Sequence, residues 1–141
     1  MQKLFLRQLF ILISRYRQKK EPAPVSETCR IIQDATRYIS TNYGQPLTLD
    51  FLARKYAISP GYISKLFKKI TGVGLNDYIT VSRITAAQNR LAQKGAKVTQ
   101  VAMECGFNDS AYFSKIFRKI TGATPKEYQK RVLSADTAHK K

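Results

Sequence analysis

Acidic residues are scarce in this chain of 141 residues. It carries 9 Asp and Glu against 25 Lys and Arg, which gives a formal net charge of +16 and an isoelectric point near 10.1. Two windows, 59–76 and 110–126, contain no acidic residue. Such an excess is costly in self-repulsion and makes a polyanion the natural partner, either nucleic acid or an anionic membrane surface.

Cysteine and histidine are nearly absent. Cys29 and Cys105 have no metal-ligand spacing, and the single histidine, His139, lies in a polar C-terminal stretch. Without a disulfide framework the chain fits a reducing, intracellular setting, and we expect both cysteines to be small apolar packing residues. Acid–base catalysis and zinc chemistry lack the side chains they need. We therefore expect no enzyme activity, no metal and no cofactor.

A long uninterrupted apolar run is also missing. Residues 1–20 contain six basic residues and no acidic one, and their apolar positions fit an amphipathic helix. Arg7 and Gln8 interrupt the apolar stretch, no small-residue cleavage site follows, and a membrane span needs about 20 apolar residues. The pattern disfavours export and membrane anchoring, and favours a helix that packs against more protein or against its own copy.

Beyond residue 20 the pattern is helical. Two prolines indicate a linker over 21–27, and no strand pattern follows it. The fold class is therefore all-α, with two helix-turn-helix subdomains joined by a long linker helix. The predicted elements are a helix over about 27–43, a first helix-turn-helix over 48–71, the linker helix over 75–93, a second helix-turn-helix over 98–121, a last helix over 125–132 and a frayed tail over 134–141.

An internal repeat links the two units. Residues 62–72 return 50 positions later as residues 112–122, with eight of eleven identical and the other three conservative. Apolar residues within each copy follow the i, i+3, i+4, i+7 spacing of one buried helix face. Because the basic residues are kept as faithfully as the apolar ones, the repeat indicates two copies of one binding surface.

The polar face of each copy fits the major groove of DNA. Once the buried stripe is removed, small or hydroxyl residues remain near the start of the helix and cations remain further along. That order suits base edges close to the helix start and phosphates along the groove rim. The residues are Gly61, Ser64, Lys65, Lys68 and Lys69 in the first copy, and Ala111, Ser114, Lys115, Arg118 and Lys119 in the second.

Two alternatives to base contact remain at this face. A Lys-rich helix surface is often only solvated, but duplication in register after a helix-turn break favours DNA. Lys65 and Lys115 lie where a cation donates either to guanine or to phosphate. Tyr62 and Tyr112 each precede the buried stripe by one residue, so packing with one edge at the groove is the favoured interpretation.

The length of the linker helix favours paired use of the two copies. Nineteen residues extend about 28 Å at ~1.5 Å per residue, whereas successive major grooves on one face of DNA are about 34 Å apart. The two copies are therefore predicted to enter successive major grooves, and a rigid, slightly short linker would bend the DNA.

These residues resemble a known family. The stretch 106–128, GFNDSAYFSKIFRKITGATPKEY, is similar to the signature of the AraC/XylS family of bacterial transcription regulators. Residues 47–62 resemble that family's first helix-turn-helix, and Arg83 to Leu91 resemble its linker helix. The resemblance covers about residues 28–133.

The resemblance implies a seven-helix, two-lobed DNA-binding domain with homeodomain-like lobes. It also implies a cytoplasmic bacterial transcription activator that contacts RNA polymerase. Family members contact bases at the positions of Gly61, Ser64, Lys65, Ala111, Tyr112 and Lys115. Gly61 and Ala111 supply little side chain for readout, and Arg90 stands where an apolar residue is more common, which predicts a more exposed turn there.

Many members of that family carry a ligand-sensing and dimerising domain before this one. Residues 1–20 look like its last helix, which indicates a C-terminal piece of a longer regulator that would dimerise through 1–20 or through a preceding domain. A stand-alone regulator is the alternative. Two other classes stay open: the DNA-binding module of a larger enzyme, and a basic protein that binds nucleic acid or membrane surfaces without specificity.

Overall fold

The computed structural model describes residues 26–139, which form seven α-helices and no strand. The all-α prediction, with two helix-turn-helix subdomains and a linker helix, is confirmed. None of the helices in this range is long and apolar enough to cross a membrane. We number the helices in chain order: α1 (Glu27–Thr41), α2 (Leu49–Lys55), α3 (Pro60–Thr71), α4 (Leu75–Leu91), α5 (Val98–Glu104), α6 (Ser110–Thr121) and α7 (Pro125–His139).

Some helix limits differ from the sequence-based expectation. The linker helix α4 ends at Leu91 rather than at residue 93, because the chain leaves it through an i to i−3 turn in which Gln93 N–H donates to the Arg90 carbonyl at 3.2 Å. The last helix, by contrast, was expected to stop near Val132, and that expectation was wrong. It continues to His139 because no glycine or proline follows Val132. The amphipathic helix predicted for residues 1–20 lies outside the described residues, as does the linker up to residue 25.

The chain divides into two compact units, and the division falls inside α4 between Ser82 and Arg83. In the first unit, α3 packs on α1 and on α2. Its core is built from residues that are almost completely buried: Ile32, Ala35, Ile39, Leu52, Ala53, Ile63, Phe67 and Tyr78. The Tyr56 hydroxyl also donates to the Asp34 carboxylate at 2.6 Å, and burial together with this bond raises the pKa of the Tyr56 phenol.

In the second unit, α6 packs on α5 and on α7. Its core contains Ile84, Ala87, Leu91, Val101, Ala102, Cys105, Phe107, Phe113 and Phe117. Cys105 is fully buried, as expected for a packing residue, and its burial raises the pKa of the thiol to about 11. Cys29, in the first unit, is only partly buried.

The duplication extends past the eleven repeated residues. Phe67 meets the Tyr78 ring edge-on at 5.2 Å, and Phe117 meets the Tyr128 ring in the same manner at 5.5 Å. Each helix is followed by a glycine in the left-handed region that caps it, Gly72 after α3 and Gly122 after α6. Residues 60–78 and 110–128 are therefore two copies of one local structure at an offset of 50.

The turn inside each helix-turn-helix needs a backbone with positive φ at one position. Ala57 adopts φ 55° there in the first unit, and Gly106 adopts φ 91° in the second. In both units the following residue donates a backbone hydrogen bond to the first helix, Ile58 to Ala53 and Phe107 to Ala102. The left-handed region costs an L-residue about 1–2 kcal/mol, a cost that glycine avoids.

We expect Gly106→Ala to lower the free energy of unfolding by about 1 kcal/mol, because alanine adopts positive φ at a cost. The reverse substitution at the matching position of the first unit, Ala57→Gly, should raise the free energy of unfolding by up to about 1 kcal/mol. Urea denaturation followed by circular dichroism measures both changes. Equal signs for the two variants would contradict the assignment of strain to this turn position.

Candidate nucleic-acid interface

Helices α3 and α6 begin with different caps. In α3, the Ser59 hydroxyl accepts from Tyr62 N–H at 3.2 Å, and Pro60 occupies the first helical position. In α6, the Asp109 carboxylate accepts from Ala111 N–H at 2.8 Å and from Tyr112 N–H at 3.3 Å. Sequence reasoning did not identify Asp109 as a cap, although an Asp directly before a predicted helix start is the usual signal.

The buried stripe of each helix lies where the periodicity predicted it. Ile63 and Phe67 in α3 are completely buried, as are Phe113 and Phe117 in α6. The outer members of both stripes are partly buried, and they match between the copies: Leu66, Ile70, Ile116 and Ile120. Because the inward residues match pair by pair, the two helices present equivalent sides to solvent.

Nearly all of the residues predicted to contact DNA lie on those solvent-facing sides. Ser114 differs, since it is partly buried while its counterpart Ser64 is exposed. The exposed residues are Gly61, Ser64, Lys65, Lys68 and Lys69 on α3, and Ala111, Tyr112, Lys115, Arg118 and Lys119 on α6. Each helix thus carries one continuous exposed face, and the contacts of these residues with DNA stay predictions.

Gly61 sits on open surface. A Cβ atom built at this position would meet no atom within 4 Å, so packing within the protein does not require a glycine. The same position in α6 carries the small side chain of Ala111, which is also exposed. A small residue at both positions leaves room for close approach of a partner to the start of each helix.

A large aromatic side chain follows each of these small residues. Tyr62 keeps 49% of its surface exposed and Tyr112 keeps 53%. The Tyr112 ring lies 6.4 Å from the ring of Phe107, so one side of it contacts the turn. The sequence pattern predicted one edge of both tyrosines at the groove, and only the resemblance to the family added Tyr112 to the base-contacting positions. The structure exposes both side chains to nearly the same extent.

The charged residues on both exposed faces are all positive. Six cations lie on them: Lys65, Lys68, Lys69, Lys115, Arg118 and Lys119. Across residues 26–139, none of the six forms an ion pair with an Asp or Glu side chain. Their positive charge is therefore available to phosphate groups rather than neutralised by the protein.

Arg90, at which the sequence predicted a more exposed turn, forms an ion pair in the structure. In the second unit its guanidinium pairs with the Glu104 carboxylate, so it joins the end of α4 to the end of α5. Both side chains keep about two fifths of their surface exposed, and surface pairs of this kind contribute about 0–1 kcal/mol.

Comparison with known proteins places this arrangement in a family. A family model described as a helix-turn-helix domain matches residues 52–131. An uncharacterized HTH-type transcriptional regulator of Escherichia coli K12, YijO, is 40% identical over 97 residues, covering 69% of this chain and 34% of YijO. The HTH-type transcriptional activator RhaR of Salmonella schwarzengrund is 27% identical over 129 residues, covering 92% of this chain and 46% of RhaR.

Among solved structures, the C-terminal domain of AraT, a response regulator from Geobacillus stearothermophilus, is similar. It superposes with a TM-score of 0.70 at 28% identity, covering 75% of this chain and 88% of that domain. This chain spans about a third of the length of YijO and less than half of RhaR. The likeness therefore concerns one part of those regulators.

Proposed function

The chain belongs to the AraC-type helix-turn-helix family of DNA-binding domains, and from this premise we propose that it regulates transcription by binding double-stranded DNA at a specific sequence. In the proposed complex α3 and α6 each enter a major groove. Ser64, Lys65, Ser114 and Lys115 approach base edges, and the four cations nearer the helix ends contact phosphates. Gly61 and Ala111 let the helix starts come close to the DNA.

One observation carries this proposal: the same exposed, cationic helix face is built twice on the same local scaffold. A solvated surface has no need to keep its polar residues in register over two copies. Here serine and lysine recur at 64, 65, 114 and 115, and cations recur at 68, 69, 118 and 119. Duplicated recognition helices are what a protein needs to read two parts of one DNA site.

Further parts of the proposal concern partners and setting. The similarity to RhaR, a transcriptional activator by its name, supports activation rather than repression and therefore contact with RNA polymerase. The amphipathic pattern of residues 1–20 supports dimerisation through that segment or through a preceding domain. A bacterial cytoplasm is the setting that such a regulator requires, with no enzymatic step of its own.

Selection of bound sites from a pool of random duplex DNA tests this function directly. We expect enrichment of one sequence with two conserved blocks about one helical turn apart, since each helix reads one block. Competition at a fixed salt concentration follows, because salt changes affinity strongly. If unrelated duplex displaces the enriched site as well as the site displaces itself, the protein binds DNA without specificity and the proposal is wrong.

A further inference from the structure

Four lysines of the second unit lie outside the recognition helix α6 and are not part of the proposed interface. Lys94 and Lys97 belong to the segment that leads into α5, and Lys126 and Lys130 belong to the first half of α7. All four are exposed. We call Lys94, Lys97, Lys126 and Lys130 the lysine cluster.

A hydrogen bond holds the two segments of the lysine cluster together. The Gln129 side-chain amide of α7 donates to the Ala96 carbonyl at 2.7 Å. Ala96 is the neighbour of Lys97, and on α7 Lys126 precedes Gln129 by three residues, which places both on one side of the helix. The segment before α5 and α7 meet at this bond, and each of the four lysines lies within three residues of Gln129 or Ala96 in sequence.

The first unit has the same scaffold without the charges. Its residues at the matching positions are neutral: Gln45, Thr48, Asn76 and Thr80. In place of Gln129 it carries Ile79, which is buried, and in place of Ala96 it carries Leu47, also buried. The shared fold is thus built without lysine at these four places, so their presence in the second unit is not required by packing.

The acidic residues nearest in sequence are occupied elsewhere. The Glu127 carboxylate accepts from Thr124 N–H at 3.1 Å, within a reciprocal cap in which Glu127 N–H donates to the Thr124 hydroxyl at 3.2 Å. The Glu104 carboxylate pairs with Arg90. Within residues 26–139 none of the four lysines forms an ion pair with either carboxylate, so the charge of the lysine cluster is available to an external anion.

We propose that the lysine cluster binds phosphates of the DNA backbone beside the major groove that α6 enters. The inference rests on the proposed DNA-binding function and extends the contact surface beyond the two recognition helices. In a helix-turn-helix the first helix crosses the sugar–phosphate backbone while the second lies in the groove. Lys97 directly precedes that first helix, and lysine binds phosphate as a point charge without a demand on base sequence.

Salt dependence of binding to the selected site tests the proposal. The six cations of α3 and α6 alone predict a slope of log K against log salt of about −5, and four more contacts make it about −9. Replacing all four lysines with glutamine should therefore flatten the slope by about 3.6. Between 50 and 200 mM salt, the wild-type chain then loses about 150-fold more affinity than the variant.

Double variants separate contact from net charge. Lys94→Gln with Lys97→Gln, and Lys126→Gln with Lys130→Gln, should each flatten the slope by about 1.8. The matched control, Arg30→Gln with Arg37→Gln, removes two charges from exposed positions of α1 and should leave the slope within about 0.5 of the wild-type value. An equal change in the control means that net charge alone acts, which overturns the proposal.

Neutral methylphosphonate linkages, placed one at a time along the selected duplex, locate the contacted phosphates. We expect single linkages beside one block to weaken the wild-type chain and to have no effect on the quadruple variant. Unchanged slopes in all lysine variants overturn the proposal and leave the cluster to a partner of another kind, such as an acidic protein. Failure of the wild-type chain to select any sequence contradicts the proposed function instead, so the two failures are distinguishable.

Discussion

Replacing Phe117 with alanine is expected to lower the free energy of unfolding of the second unit by about 3–5 kcal/mol. Phe117 is completely buried and lies between two aromatic rings, Phe113 at 5.6 Å and Tyr128 at 5.5 Å. Truncation removes its transfer free energy and leaves a cavity that these rings cannot fill without moving. Since small domains are stable by about 5–15 kcal/mol, this loss removes about a fifth or more of the total stability.

The control for this variant lies on the same helix. Tyr112 is also aromatic but 53% exposed, so Tyr112→Ala should cost less than about 1 kcal/mol. Urea denaturation monitored by circular dichroism compares the two variants under one set of conditions. A loss below about 1 kcal/mol for Phe117→Ala, or an equal loss for both, would show that the α6 stripe does not carry the core of this unit.

Replacing Lys65 with alanine is expected to reduce discrimination at the DNA block read by α3 by about 1–3 kcal/mol, which corresponds to about 5- to 150-fold. Lys115→Ala should have the same effect at the block read by α6. Both lysine side chains are exposed, and each lysine directly follows the serine of its helix. Each lies on the same helix face as the small residue at the helix start. Fluorescence anisotropy with the selected site and with single-base variants of each block measures the loss.

Lys69→Ala and Lys119→Ala are the matched controls, because these exposed cations flank the face near the helix ends. A phosphate contact at either position weakens binding to all sequences alike and leaves the ratio between them unchanged. If Lys65→Ala and Lys115→Ala behave like these controls, the two residues only position the protein on DNA, and sequence is read by other side chains or by DNA shape.

Much of the candidate interface was predictable because helical periodicity separates inside from outside. Removing Ile63, Phe67 and their partly buried neighbours left the residues that the structure exposes. Periodicity takes no account of packing against neighbouring helices, however. It therefore treated Ser64 and Ser114 as equal, although the structure partly buries only Ser114. Periodicity treated Tyr62 and Tyr112 alike, as the structure does, whereas the resemblance to the family named only Tyr112 as a base-contacting position.

Contacts between residues far apart in sequence were beyond prediction. The bond from Gln129 to the Ala96 carbonyl joins residues 33 positions apart, and the pair of Arg90 with Glu104 joins residues 14 positions apart. Either contact depends on how whole helices pack, which no local pattern specifies. The extension of α7 to His139 was missed for a different reason, since a polar, exposed segment lacks the apolar period by which a helix is recognised.

The sequence by itself determined that this protein is all-α, that it contains two helix-turn-helix units, and that each unit carries one acid-free basic face. These features depend on local spacing and composition, which act before any tertiary contact forms. Only the tertiary structure decided how far the duplication extends and where the copies differ. Packing brought Gln129 to Ala96 and thereby gathered four lysines that lie in two separate stretches of the chain. Charges distant in sequence become one surface only when the helices that carry them pack together.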